Sequence, residues 1–217
     1  MELTILIPIF FILIVIVVYS LSGSLKRSLF LTSVFLVIIM TFILFSIILD
    51  SRQLADIAKS TSLFIYTANN NPEIGVAINF SQVESQTLTQ EQTKEAFDQV
   101  ITKDTQLKKT YFKTFIFSES AINELLAEEV KLNQGITVSK KEILDGMASA
   151  DKEESAAFFT TAVLDIFQNL QNGDKMAVFL KKYKNKEIII YPKIKAISIL
   201  SVMPEDMVKR VMSKTDL

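Results

Sequence analysis

The sequence predicts a mainly α-helical membrane protein, with an N-terminal hairpin of two transmembrane helices followed by a mostly helical domain outside the bilayer. Two long uncharged apolar runs precede Asp50, and a short turn with two cations joins them. The rest of the chain has the composition of an ordinary globular domain, with many apolar residues at helical spacing. We therefore expect a hairpin at 1–49, a stalk helix and linker at 50–88, and a soluble helical domain at 89–217.

The two apolar runs are each long enough to cross a bilayer. No charged residue lies between Leu3 and Leu25, and the second run continues without charge to Leu49. A helix of about 20 residues spans about 30 Å, the thickness of the hydrocarbon layer. We expect spans near 3–22 and 28–49. The first run has no basic n-region and exceeds the apolar length of a signal peptide, which favours an uncleaved anchor.

Lys26 and Arg27, in the turn of the hairpin, are the predicted topology determinants. Positively charged short loops stay in the cytoplasm, so these two residues favour a domain outside the cell membrane. Arg52 and Lys59 follow the second run closely and favour the opposite orientation. Because Lys26 and Arg27 are adjacent and lie in the short turn, we expect an extracytoplasmic C-terminal domain. A cytoplasmic C-terminal domain is the alternative.

Residues 50–88 are predicted to form a stalk and a linker. Apolar residues recur at helical spacing after Asp50, which extends the second span to about Thr67. The alternative is a break near Asp50 and a separate amphipathic helix. Asn69–Pro72 is a strong helix stop, and 73–88 is interpreted as linker or edge structure.

Capping patterns predict the helices of the third segment. Thr89-x-x-Gln92 and Ser139-x-x-Glu142 are capping boxes that each open a helix. Further helices are predicted over 121–132, over about 152–171 and from Asp174 onward. Residues 111–117 (YFKTFIF) fit either a helix or a strand.

A small β element is predicted near 187–201. Glu187–Tyr191 has the β-branched composition of a strand, Pro192 interrupts it, and Lys193–Leu200 is a second candidate strand. Pro204 lies at the first turn of a predicted terminal helix.

Composition excludes several functional classes. The chain has no cysteine and no histidine, which removes thiolate catalysis, Ser-His-Asp hydrolysis and the usual zinc sites. The net charge of -1 argues against nucleic acid as the main partner. No phosphate loop or dinucleotide motif is present. We expect neither an enzyme nor a bound cofactor, and no small-molecule substrate is evident; the expected partners are the lipid bilayer and another protein.

Three features are weighed as functional candidates. Phe158 lies on the polar side of its predicted helix, so it belongs either to a partner-binding surface or under a neighbouring loop. Glu129 lies on an apolar helix face, where it is either buried or near solvent in the last turn. The basic run Lys181–Lys186 either contacts anionic lipid or is a solvated helix end.

Residues 121–147 contain a helix, a glycine turn and a capped helix, carried by Gly135, Ile136, Val138, Ser139 and Glu142. This segment resembles the helical chaperone domain of periplasmic foldases and trigger factor. The expected function is that of a membrane-anchored, non-enzymatic helical domain that binds another protein. The resemblance implies a chaperone-like form of this function, and no functional residue is carried over from it. The alternative function is a structural or accessory subunit of a membrane protein complex.

Overall fold

A computed structural model describes residues 32–34, 60–82, 84–102, 110–132, 136–170 and 172–212. The chain divides into two compact units, 1–49 and 50–217. In the first unit, Thr32–Val34 are helical. The described part of the second unit contains seven strands and seven helices.

The second unit is an α/β structure built on a mixed sheet, so the prediction of a mainly α-helical fold is wrong. The spans predicted near 3–22 and 28–49 lie, apart from 32–34, outside the described residues. Among the residues that are described, no helix combines the length and the apolar character needed to cross a membrane. For the described residues, the predictions of an integral membrane protein and of a location in the cell membrane are therefore not borne out.

The strands are β1 Thr61–Ala68, β2 Asn71–Asn79, β3 Glu84–Thr87, β4 Thr114–Ser118, β5 Glu129–Lys131, β6 Thr137–Ser139 and β7 Ile188–Tyr191. Five of them form a sheet with the order β3-β2-β1-β4-β7, and β5 and β6 form a separate two-stranded sheet. The parallel pair is β1 with β4, while the β1–β2, β2–β3 and β4–β7 pairs are antiparallel.

The predicted stalk and linker contain the first three strands. Leu63, Phe64 and Ile65 are all fully buried, because β1 is a central strand covered on both faces. A strand buried on both faces is a continuous apolar run, which periodicity cannot distinguish from a buried helix. The predicted helix stop is a hairpin turn, in which Asn69 and Asn70 have φ of 52° and 64°. Asparagine tolerates this left-handed conformation, which two-residue hairpin turns require.

The helices are α1 Gln90–Thr102, α2 Glu119–Leu125, α3 Lys140–Met147, α4 Lys152–Asn169, α5 Gly173–Lys184, α6 Lys195–Leu200 and α7 Glu205–Met212. Both predicted capping boxes are confirmed, with reciprocal bonds in Thr89–Gln92 and in Ser139–Glu142. The predicted helices near 152–171, from 174 and after Pro204 are also confirmed.

Two other elements differ from the prediction, and a third decides between two predicted alternatives. The helix predicted over 121–132 ends at Leu125, and the chain then forms β5. The predicted second strand over 193–200 is instead α6, whereas the first strand of that pair is confirmed as β7. The segment 111–117, which fits either a helix or a strand, contributes to a strand, because residues 114–118 form β4.

Two hydrophobic clusters cover the two faces of the sheet. Leu63, Ile65 and Ile116 face α1, which contributes Ala96 and Val100. The opposite face is apolar and aromatic and packs against α2, α3, α4 and α5 in a larger cluster. Successive side chains of β1 point to opposite faces of the sheet, so they belong alternately to two separate cores.

Candidate functional site

A cleft with a volume of about 380 Å³ lies at one end of the sheet. Tyr66 and Ala68, near the carboxyl end of β1, line it together with Glu119, which follows β4 directly. Since β1 and β4 are parallel, with Thr67 in register with Ser118, their carboxyl ends meet at the same edge of the sheet. Open α/β sheets bind ligands at this position.

The other walls of the cleft come from β2 and from the corner between α3 and α4. Glu73, Ile74 and Gly75 lie at the beginning of β2, which pairs antiparallel with β1 and so returns to the same end of the sheet. Met147, the last residue of α3, and the following residues 148–150 form another wall. At the rim, the Lys152 Nζ donates to Gln90 Oε1 over 2.7 Å, which joins the first turns of α4 and α1.

Gly75 allows α1 to approach the sheet closely beside the cleft. A Cβ at position 75 would lie 2.5 Å from the Oγ1 of Thr93, which is buried and donates to the Thr89 carbonyl. Contacts of this length do not occur between a real Cβ and its neighbours, so any larger residue would displace the first turn of α1. The Leu88 amide also donates to the Gly75 carbonyl over 2.8 Å, which fixes the approach to α1.

Tyr66 is the central polar group of the cleft. Its ring packs against Phe159 of α4, with centroids 5.9 Å apart, and this contact holds it in place. Burial, followed by the negative charges of Glu119 and Glu73, raises the pKa of the Tyr66 hydroxyl to about 12. The phenol is therefore neutral near pH 7, where it can donate a hydrogen bond and is a poor base or nucleophile.

The helix ends around the cleft are already capped. The Asp151 side chain accepts from the amides of Glu153 and Glu154 at the beginning of α4. Ser155, which is buried, donates from its hydroxyl toward the carbonyls of Met147 and Ser149 at the end of α3. These bonds hold the α3–α4 corner rigidly as one wall of the cleft.

A second polar cluster joins Ser120, Lys182 and Glu187. The buried Lys182 Nζ lies 2.6 Å from Glu124 Oε2 and 2.8 Å from Glu187 Oε2, and it donates to the Ser120 hydroxyl over 2.9 Å. A Ser-Lys catalytic pair needs a neutral lysine as its base. Burial lowers the pKa of Lys182, but the hydrogen bonds that Lys182 donates to Glu124 and Glu187 outweigh this effect and hold the pKa above its usual value. Lys182 is therefore a protonated structural cation.

The residues weighed from the sequence lie outside the cleft. Phe158 is half-buried on α4, and its ring occupies the space beside Gly146 of α3 where a Cβ would lie. Its role in a partner surface stays a prediction. Glu129 is the exposed first residue of β5, and Lys181–Lys184 ends α5. Lys26 and Arg27 lie outside the described residues.

Tyr66, Glu73 and Glu119 were not among the predicted site residues. The interpretation of 50–67 as a stalk helix placed Tyr66 far from any sheet. The signal that identifies the hairpin is the run of asparagines between two β-branched segments, because asparagine favours the left-handed turn. The position of Glu119 depends on the parallel pairing of β1 and β4, which no local pattern in the sequence encodes.

The described residues contain no group of three or more Asp, Glu, His or Cys side chains arranged to hold a metal ion. Comparison with known proteins identifies no relative: no family model matches the chain, and neither a curated protein nor a solved structure is significantly similar to it.

Proposed function

We propose that this chain is a non-enzymatic protein-binding domain and that it receives a segment of its partner in the cleft between β1, β2 and the α3–α4 corner. The observation that carries the proposal is the cleft itself, with a volume of about 380 Å³ at the carboxyl ends of the parallel strands. This volume is near the lower limit for ligand pockets, so it suits a few side chains of a peptide better than a dinucleotide-sized ligand.

The lining of the cleft supports recognition of a peptide. Ile74, Leu88 and Met147 provide apolar surface, while Tyr66 and two glutamates provide polar contacts. Binding sites combine these two kinds of surface, because apolar contact supplies affinity and a small number of polar groups supplies orientation. Tyrosine is also among the residues that contribute most to protein interfaces.

The chemistry of the polar groups argues against catalysis. The Tyr66 hydroxyl has a pKa of about 12, so little of it is ionised near neutral pH. Lys182 is protonated between two carboxylates, and the chain has neither histidine nor cysteine. General acid–base catalysis is most effective when a group has a pKa near the working pH, and neither group meets that condition.

A display library of random peptides, selected against the immobilised full-length chain, tests the proposal. The decisive variant is Ala150→Trp, because Ala150 is exposed and lines the cleft, so the indole fills the cleft without entering the core. Its matched control is Ala157→Trp, which adds the same side chain at an exposed position of α4 that does not line the cleft.

We expect the selected peptides to lose binding to Ala150→Trp and to keep it for Ala157→Trp. A selection that yields no binders, or binders indifferent to Ala150→Trp, would overturn the proposal. The chaperone-like form of this function rests on the resemblance of residues 121–147 and stays a prediction. It requires in addition that the full-length chain suppress the aggregation of an unfolded protein and that Ala150→Trp abolish this effect.

A further inference from the structure

We propose that the cleft recognises the cationic end of a lysine or arginine side chain on the partner polypeptide, between Tyr66, Glu73 and Glu119. This inference rests on the proposed function and specifies the chemistry of the group that is bound. It is drawn from the charges that line the cleft, the state of the helix ends around it, and its size.

The charge of the lining is net negative. Among the described residues of the lining there are two carboxylates, Glu73 and Glu119, and a single cation, Lys152, whose Nζ already donates to Gln90. Both carboxylates line the same cleft as Tyr66, and their negative charges contribute to the raised pKa of its hydroxyl. An ammonium or guanidinium group between them would be attracted by two carboxylates and by the face of the tyrosine ring.

The helix ends around the cleft favour a cation over an anion. The beginning of α4 borders the cleft through Lys152 and Ser155. The Asp151 side chain accepts from two amides there, and Glu153 and Glu154 follow in the first turn. The capping box of Thr89 and Gln92 satisfies the beginning of α1 in the same way. Ala148, at the carboxyl end of α3, lines the cleft and adds the negative end of a helix dipole.

The dimensions of the cleft agree with a long, flexible cationic side chain. Ile74, Leu88 and Met147 provide apolar surface for the methylene groups of lysine or arginine, while the acidic groups receive the charged end. Long cationic side chains commonly pack in this way, with the aliphatic part on apolar atoms and the charge near polar ones.

The test compares two forms of each peptide whose binding depends on the cleft. In one form each lysine is replaced by norleucine and each arginine by citrulline, which keep the approximate length and remove the charge. The protein variant is the double substitution Glu73→Gln with Glu119→Gln, in the full-length chain. The control removes two exposed carboxylates elsewhere, Glu95→Gln with Glu129→Gln, and so has the same net charge.

We expect the cationic peptides to bind the Glu73→Gln/Glu119→Gln variant about tenfold more weakly than the unmodified chain, since two partly exposed ion pairs contribute about 1.4 kcal/mol together. The neutral peptides should bind the variant and the unmodified chain equally, and the control should behave as the unmodified chain. Cleft-dependent peptides without lysine or arginine, or cationic peptides indifferent to the double substitution, would overturn this inference and leave the proposed function standing. A complete lack of cleft-dependent peptides would overturn both.

Discussion

Two buried serines differ in whether their hydroxyl groups have hydrogen-bond partners. Ser62, on β1, is completely buried, and its Oγ has no partner in the part of the chain that the structure describes. Ser155, on α4, is also buried, but its hydroxyl reaches the carbonyl groups of Met147 and Ser149. A buried hydroxyl without a partner lowers stability, whereas a satisfied one contributes to it, so substitution should have opposite effects at the two positions.

We predict that Ser62→Ala raises the free energy of unfolding by about 1 kcal/mol, because it removes a polar group that was desolvated without compensation. Ser155→Ala should lower the free energy of unfolding by about 1 kcal/mol, since it deletes the bonds that hold the α3–α4 corner. Denaturant titration of both variants measures the two changes. Destabilisation by Ser62→Ala would mean that its hydroxyl has a partner outside the described residues.

Gly146 and Phe158 give a second prediction at the scale of residues. Alanine at position 146 would place its Cβ against the Phe158 ring. Overpacking of this kind costs about 2 kcal/mol, which outweighs the gain of about 1 kcal/mol when alanine replaces a helical glycine. Gly146→Ala should therefore destabilise the protein. In the Phe158→Ala background the same substitution should become neutral or favourable, and thermal unfolding of the four proteins in the double-mutant cycle measures this coupling.

At the scale of elements, one buried cation joins three parts of the fold. Lys182 of α5 bonds to Glu124 and Ser120 of α2 and to Glu187, which immediately precedes β7. The Ser120 hydroxyl also donates to Glu187 over 2.7 Å, so the network closes on itself. Hydrogen bonds from Lys182 and Ser120 hold the pKa of Glu187 below its usual range. The network therefore stabilises the packing of α2 and α5 in a charge-dependent way.

We predict that Lys182→Met lowers the free energy of unfolding by about 2 kcal/mol at pH 7, less than for a fully buried pair because Glu124 and Glu187 remain partly exposed. Because folding lowers the pKa of Glu187, the contribution of Glu187 to stability is fully present above the usual glutamate pKa. It is lost as the pH falls through the lower pKa of the folded state. Folding raises the pKa of Lys182, so the contribution of Lys182 to stability is lost only as the pH rises through this higher pKa of the folded state.

The difference in stability between the unmodified chain and Lys182→Met should accordingly be constant around neutral pH and shrink in acid, below the usual glutamate pKa of about 4.3. Urea unfolding at a series of pH values measures it. Lys209→Met is the control, because Lys209 binds Asp174 and Glu205 with 40% of its side chain exposed, so its effect should be smaller. An equal effect of both substitutions would show that burial adds nothing to the Lys182 network.

At the scale of the whole second unit, the sheet separates two cores of unequal size. The side that faces α1 buries five residues, Leu63, Ile65, Ala96, Val100 and Ile116. The side that faces α4 contains a much larger cluster, in which Phe64, Phe115 and Phe167 pack ring against ring. Less buried apolar area means a smaller free energy for local opening, so α1 should be the less stable of the two layers among the described residues.

We predict that the amides of α1 exchange with solvent at least about tenfold faster than those in the middle of α4, because local opening of α1 exposes the smaller cluster. Hydrogen exchange followed by mass spectrometry measures both helices in one experiment. Val100→Ala should increase the exchange of α1 and leave α4 unchanged. Equal protection of the two helices would indicate that they open only in global unfolding.

The confirmed predictions are those that depend on local chemistry. Ser139 and Glu142 form a capping box because each satisfies an amide within three residues of itself. The helical periodicity near 152–171 is long enough to be unambiguous, and its apolar residues Phe159, Val163 and Ile166 are buried as the spacing predicts. The apolar run of β1 has no such unambiguous period, because neighbours on both faces bury every one of its central residues.

Local signals in the sequence specify where the chain turns and where most of its helices begin, because caps, hairpin asparagines and prolines act over a few residues. Only long-range contacts establish that residues 61–79 form strands, and that β1 pairs with β4 about fifty residues further along the chain. That pairing brings Tyr66 and Glu119 to one edge of the sheet and creates the cleft. Hydrogen bonds between distant strands and burial on two faces depend on the whole arrangement, so no local pattern of residues specifies them.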